Sequence, residues 1–267
     1  MSGQIATLAV ESRCALGEGI LWCDRRRILL WTDIDACQLW QHDPASSHTQ
    51  HWDLPDPLGC LALAEDGRLL LALAKGLYIA DLPAATQSLL PLQHLLDVEP
   101  GISDTRSNDG RADRHGNFVF GTKGESRDSG APMGGYYQYS ARHGLRALGL
   151  PAAAIPNSIC FSLDGSLMYY CDSRHPRLMC CDYDAARARI SNPRVFAEVD
   201  DQDASPDGSI IDASGLLWNA QWGASRVVRY QADGQVDRII RVPASQPSCC
   251  CFGGDNFDLL YITTARS

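Results

Sequence analysis

Short apolar runs recur along the chain in groups of four, each run three to seven residues long and closed by turn-forming residues. In the first group they fall at 20–22, 28–34, 38–41 and 51–54. Past residue 157 they fall at 159–161, 167–171, 177–183 and 194–199, and past 207 at 209–211, 216–220, 226–230 and 236–242. The runs are rich in Val, Ile, Leu, Trp and Tyr and carry no stripe at helical spacing, so they predict β-strands.

The groups are copies of one another. In Pro156-Asn157-Ser158-Ile159-Cys160-Phe161 a polar residue leads into an apolar run, and Gly165 follows the asparagine by eight positions. Asn108 stands to Gly116, and Asp207 to Gly215, in the same way, with Gly59 and Gly67 as a fainter copy. Glu18 precedes Ile20-Leu21-Trp22, and Ser248 precedes Cys249-Cys250-Cys251, completing six anchors spaced 41, 49, 49, 50 and 41 residues apart. Four strands in a period of roughly 40–50 residues are the signature of propeller blades. The expectation is one all-β domain spanning 1–267, a six-bladed β-propeller of four-stranded antiparallel blades. The last repeat writes only two strands before Ser267, so its blade is expected to be incomplete on the C-terminal side. A strand at 5–10 is expected to join that last blade and close the ring.

A formal net charge of −9 leaves no basic face for nucleic acid or an anionic membrane. The N-terminus shows no basic-then-apolar leader, and no run is long enough to cross a bilayer, so a cytoplasmic location and a monomer are expected. The cysteines number eleven, an odd count with no Cys-x-x-Cys, and most lie in strand-like runs. Buried reduced thiols follow, rather than disulfides or a zinc site.

In a propeller the turns entering the innermost strands gather at one mouth of the central channel. That places the carboxylates of Glu18 and Asp207 beside the amides of Asn108 and Asn157. Any one of these is an ordinary turn residue. Four at equivalent positions aimed at one axis form a set of hard oxygen donors, suited to Ca2+, Mg2+ or Mn2+, while carboxylates also serve Zn2+. Arg106 and Asp109 flank Asn108. The guanidinium could hold a substrate carboxylate or polyol, or pair locally with Asp104 or Asp109. The stretch from Lys123 to Gly135, with Glu125, returns to the same mouth as a lid or a plain surface loop.

Leu16-Gly17-Glu18-Gly19, Arg106-Ser107-Asn108-Asp109-Gly110, Pro156-Asn157-Ser158, Ser205-Pro206-Asp207-Gly208 and Gln246-Pro247-Ser248-Cys249 together resemble the gluconolactonase / regucalcin (senescence marker protein) family over nearly the whole chain. The resemblance implies one divalent metal held by Glu18, Asn157 and Asp207, substrate contacts from Arg106, Asn108 and Asp109, and hydrolysis of a small-molecule sugar lactone. The metal would polarise the ring carbonyl and activate water, with Asp207 as base, and Glu125 or Lys123 would reach in from the rim. Ile20, Ser158 and Lys123 depart from the family's usual proline, glycine and methionine. No Gly-x-Ser-x-Gly motif suggests an acyl-enzyme route. Two alternatives share the scaffold: a calcium-binding regulatory protein without catalysis, and an esterase or phosphotriesterase using the same metal.

Overall fold

The computed structural model describes residues 4–82, 89–125 and 133–266 and contains no helix among them. The strands form a β-propeller of five blades, four of them four-stranded and antiparallel and one extended to five strands, with a further two-stranded sheet. The innermost strands, in blade order, are Gly17–Cys23, Leu58–Leu63, Thr105–Ala112, Pro156–Phe161, Ser205–Ile211 and Gln246–Gly253. The sixth sheet pairs Gln246–Gly253 with Leu259–Ala265. Each apolar group of the sequence thus becomes one sheet, and the strand bounds fall close to the runs that predict them.

The expected closure of the ring is corrected. Only Gln4–Ile5 of the N-terminal segment is a strand, and it pairs in parallel with Val236–Arg241, the outer strand of the fifth blade. Beyond Ile5 the pairing ends with the Ala6 amide, which donates to the Arg241 carbonyl (2.8 Å), and the segment covers apolar surface. Ala6 packs on the cluster between the fifth and sixth sheets, and Val10 on the cluster between the sixth and first. The ring closes elsewhere, through a bridge between Leu16 and Ala265 and a hydrogen bond from the Arg266 amide to the Ala15 carbonyl (3.2 Å). The expected six blades are corrected to five among the described residues, and the last repeat, expected to be incomplete, forms a two-stranded sheet.

The core is divided among the seams between neighbouring sheets, with one apolar cluster for each. The seam between the first two blades buries Trp52, Leu30 and Leu39 against Leu58, Leu69 and Leu71. Side chains alternate between the two faces of each strand, so both faces of a blade are apolar, and the runs read as continuous rather than alternating. Every cysteine but Cys37 is buried, and all are free thiols. Among the described residues no helix is long and apolar enough to cross a membrane.

All six innermost strands share one irregularity. The pairing register slips between Glu18 and Leu21, Leu58 and Cys60, Ser107 and Gly110, Asn157 and Cys160, Pro206 and Ser209, and Pro247 and Cys249. Each slip sits on an anchor. A bulge adds a residue to one strand and re-aims its side chain. Repeated around the ring, it turns the anchors away from the seams and toward the channel.

Candidate active site

The sequence-distant anchors meet at the mouth of the channel. The carboxyl groups of Glu18 and Asp207, from the first and fifth blades, come close enough that each bears on the other's protonation. Asn157 Oδ1 accepts from Asn108 Nδ2 at 3.0 Å, and Asn108 Oδ1 accepts from Arg106 Nη1 at 3.0 Å. The other end of the Asn157 amide donates to Ser173 Oγ (2.8 Å), which donates to the Pro206 carbonyl (2.7 Å) beside Asp207. All of these anchors are buried. Asp109 is buried too, with Oδ2 accepting the Ile159 amide at 2.8 Å, which turns it toward the neighbouring inner strand.

Local backbone chemistry explains the placement. Gly19 and Ser158 follow their anchors with φ of 56° and 61°, the left-handed region that favours glycine. Ser158 adopts it without glycine's freedom, and its hydroxyl compensates. It donates to the Asp207 carbonyl at 2.7 Å, lies 2.8 Å from Ser209 Oγ, and receives Asn219 Nδ2 at 3.0 Å. The serine thereby ties the fourth blade's anchor to the fifth blade's. Gly59 has another reason to be glycine: a Cβ there would stand 2.6 Å from the backbone of Ser107 and Asn108. Ser248 is a strut, donating to the Gly17 carbonyl with Thr263 Oγ1 3.1 Å away. Of the six anchors, these two are structural.

Two positioning residues escape the sequence reading. Asp33 accepts the Ala15 and Leu16 amides (2.8 and 3.0 Å), and Asp172 accepts those of Ala154 and Ile155 (2.9 and 3.1 Å). Each clamps the turn entering a site strand. Their shared offset, fifteen residues after Glu18 and after Asn157, is the signal that would have found them. Asp35 is also missed: exposed on the mouth, its charge reaches both Arg106 and Lys123. Glu99 is a third bracing group, accepting from Thr122, Tyr137 and Thr105 and so fixing the two site strands of the third blade to each other.

Electrostatics set the site apart from the rest of the channel. Burial, then the negative charge of Asp109, pushes the Glu18 carboxyl up to about 8. Burial and the Glu18 charge push Asp207 well above the carboxylate range. Burial lowers Arg106, and the charges of Asp35, Glu125 and Glu18 oppose that shift. Burial and the Arg106 charge bring Lys123 down to about 8, against the pull of Asp35, Asp207 and Glu125. Glu125 itself is exposed at the rim, its amide bonded to the Asp104 carbonyl (2.8 Å). The expected lid lies in part outside the described residues, at 126–132. Arg106 forms no ion pair with Asp104 or Asp109 among the described residues; it donates to the Ser107 carbonyl (2.7 Å) and to Asn108. Burial also raises the thiols of Cys60, Cys171 and Cys249, so none is primed as a thiolate nucleophile.

The donors fit a divalent cation on their own chemistry. Asp207 Oδ1 is buried with no hydrogen-bond partner, which is costly unless something positive sits against it. Two carboxyls held in contact gain most from a cation between them. Among the described residues no three His, Cys, Asp or Glu side chains group for a metal; a third donor would be an amide, and Asn157 is the anchor amide tied through Ser173 to the Pro206 carbonyl beside Asp207.

These features define a β-propeller with a carboxylate–amide site at one channel mouth. Residues 16–266 match the family described as SMP-30/Gluconolactonase/LRE-like region, and the chain belongs to that family. It is 45% identical over 262 residues to the L-arabinolactonase of Azospirillum brasilense, covering 98% of this chain and 84% of the relative. It is 32% identical to the 6-deoxy-6-sulfogluconolactonase of Pseudomonas putida, covering 96% and 86%. Among solved structures it resembles a calcium-binding protein, regucalcin, from Agrobacterium tumefaciens, with a TM-score of 0.87, 32% identity, and coverage of 97% and 85%.

Proposed function

We propose that this protein hydrolyses a sugar lactone to the sugar acid at the mouth formed by Glu18, Asn157 and Asp207. The observation that carries the reading is the pairing of two buried carboxyls from distant blades, each bearing on the other's protonation and one with an unpartnered oxygen. The names of the relatives, an arabinolactonase and a sulfogluconolactonase, support the choice of substrate class.

Glu18, Asn157 and Asp207 would hold one divalent cation, Ca2+, Zn2+, Mg2+ or Mn2+. Such an ion supplies polarisation of the lactone carbonyl and a lowered pKa for water. The chain's own groups do the rest. Asp207 Oδ1, free of other partners, takes the proton of the attacking water. Arg106 and Asn108, already hydrogen-bonded to each other, orient the sugar hydroxyls, with Asp109 behind them and Glu125 at the rim. A lactone is an activated ester, so positioning and charge stabilisation suffice without a covalent acyl-enzyme.

The test is lactone hydrolysis by metal-stripped protein with single cations restored, in wild type and Asp207→Ala. The expected outcome is activity in the wild type only when a cation is present, and a loss of at least ~100-fold in the variant at unchanged fold. Full turnover by Asp207→Ala would refute the assignment. Tight calcium binding with no turnover on any sugar lactone would favour the regulatory reading, and turnover confined to phosphotriesters the esterase reading.

A further inference from the structure

At the other end of the channel lies a cavity of about 550 Å3. Its walls come from further along the same inner strands and from the turns that follow them. Arg111 and Ile210 stand three residues past the anchors Asn108 and Asp207, and Arg114 and Leu163 lie in the turns beyond. The hydrolytic site therefore does not include it. Its volume is in the range of small-molecule clefts, ~300–1,000 Å3.

Arg111 is the unusual group. A guanidinium is charged at all accessible pH and carries five N–H donors. Here Nε is buried with no partner, and Nη2 has only the thiol sulfur of Cys249, at 3.8 Å. Asp109, two residues earlier, acts on it through its charge but forms no ion pair with it among the described residues, Oδ2 being bonded to the Ile159 amide. The other half-buried cation on the wall, Arg229, is neutralised by Asp212 (2.9 Å) and Asp237 (3.2 Å) and stacks on Trp218. A half-buried guanidinium whose Nε is enclosed without an acceptor favours an anionic group in the cavity that it lines. Arg114, exposed beside it, adds a second positive charge. Apart from Ser214 and Asp212, the latter paired with Arg229, the remaining wall is mostly apolar, from Ile210 and Phe252 inside to Leu163 (51% exposed) and Phe257 (53% exposed) at the rim. Charge at the base and apolar surface above specify an amphipathic anion rather than a sugar or a bare inorganic ion.

We propose that this second mouth binds a small organic carboxylate, its anionic group received by Arg111 and Arg114 and its aromatic or aliphatic body by Ile210, Phe252 and Phe257. The site stands on its own residues and does not depend on the hydrolytic reading.

Calorimetric titration of the full chain with phenylacetate, 2-phenylethanol and inorganic phosphate tests it. Phenylacetate is expected to bind about tenfold or more tightly than the neutral alcohol, the difference one charge-assisted hydrogen bond makes, and more tightly than phosphate. Arg111→Gln should abolish that preference. Phe257→Ser and Arg114→Glu, both at exposed positions, should weaken binding several-fold with lactone hydrolysis unchanged. These two keep the test decisive should Arg111→Gln fail to fold. Binding that persists in Asp207→Ala and after chelation places the ligand outside the hydrolytic mouth. Failure of phenylacetate to bind, binding no better than phosphate's, affinity unmoved by Phe257→Ser and Arg114→Glu, or loss of binding in Asp207→Ala would each overturn the proposal.

Discussion

Replacing Glu18 by glutamine should make the cation-free protein more stable while destroying its hydrolytic activity. In the folded chain the Glu18 carboxyl is held near 8 rather than its ordinary 4.5, by burial first and by the Asp109 charge second. Below pH 4.5 the folded and unfolded chains are both protonated there, and the group costs nothing. Between 4.5 and about 8 the folded state keeps the proton that the unfolded state has released. Stability therefore falls as pH rises, by ~1.4 kcal/mol per pH unit. Over that window the ceiling is about 5 kcal/mol, and relaxation with water entry reduces it to roughly 2–3 kcal/mol. Glutamine has no proton to release, and its Oε1 can still accept from the protonated Asp207 as the Glu18 carboxyl does. In the presence of a chelator, Glu18→Gln should melt roughly 5–10 °C above wild type at pH 8 and close to it at pH 4.5. Asp109 titrates in both proteins, whereas Asp207 loses the Glu18 charge in the variant, so the difference between them reports the coupled pair Glu18–Asp207. Thermal denaturation by circular dichroism across that range measures it. A wild-type chelated protein as stable relative to the variant at pH 8 as at pH 4.5 would show that the two carboxyls do not share a desolvated site.

Other outcomes follow from particular contacts. Lys123→Met should alter the ranking of sugar lactones in kcat/KM more than it alters cation affinity, because Lys123 faces the mouth without being a donor to the ion; an unchanged ranking would make it a bystander. Gly59→Ala forces a Cβ to 2.6 Å from the Ser107–Asn108 backbone, so it should destabilise the fold by about 2 kcal/mol or more and raise KM; urea denaturation and steady-state kinetics measure both. Ser158→Ala keeps the positive φ and loses the hydroxyl's bonds, costing about 1–3 kcal/mol, whereas Ser158→Gly should cost less because the strain is relieved; the order of the two melting temperatures decides it.

The features legible in the sequence were those written locally and repeatedly. Four strands per period and six anchors come from turn chemistry and apolar runs, and the bulge at every anchor is the structural form of that repetition. Glu18 and Asp207 could be paired across some 190 residues only because a ring returns equivalent positions to one axis. What was not legible depended on which surface a segment covers. The N-terminal residues read as a strand for the last sheet, yet only Gln4–Ile5 pair, with the fifth blade. Ala6 and Val10 gain more by covering apolar seams. The clamp aspartates Asp33 and Asp172 looked like strand ends, because their acceptor role involves amides seventeen or eighteen residues away.

The distribution of charge along the channel explains why the two mouths should take opposite ligands. At the anchor end, carboxyls are crowded: Glu18 touches Asp207, and Asp109 bears on both, with Arg106 the nearby cation tied up by Ser107 and Asn108. A dication relieves that crowding, and an amide at Asn157 rather than a third acid lets two carboxylates balance its charge. At the far end the balance shifts toward the cations, since Arg111 has the charge of Asp109 nearby but no ion pair, and Arg114 adds a second positive group. Asp109 and Arg111 lie two residues apart on the same inner strand and act on each other through charge, while Asp109 Oδ2 is held by the Ile159 amide. On the proposed readings, a cation would balance the carboxyls at one mouth and an organic anion the guanidinium groups at the other.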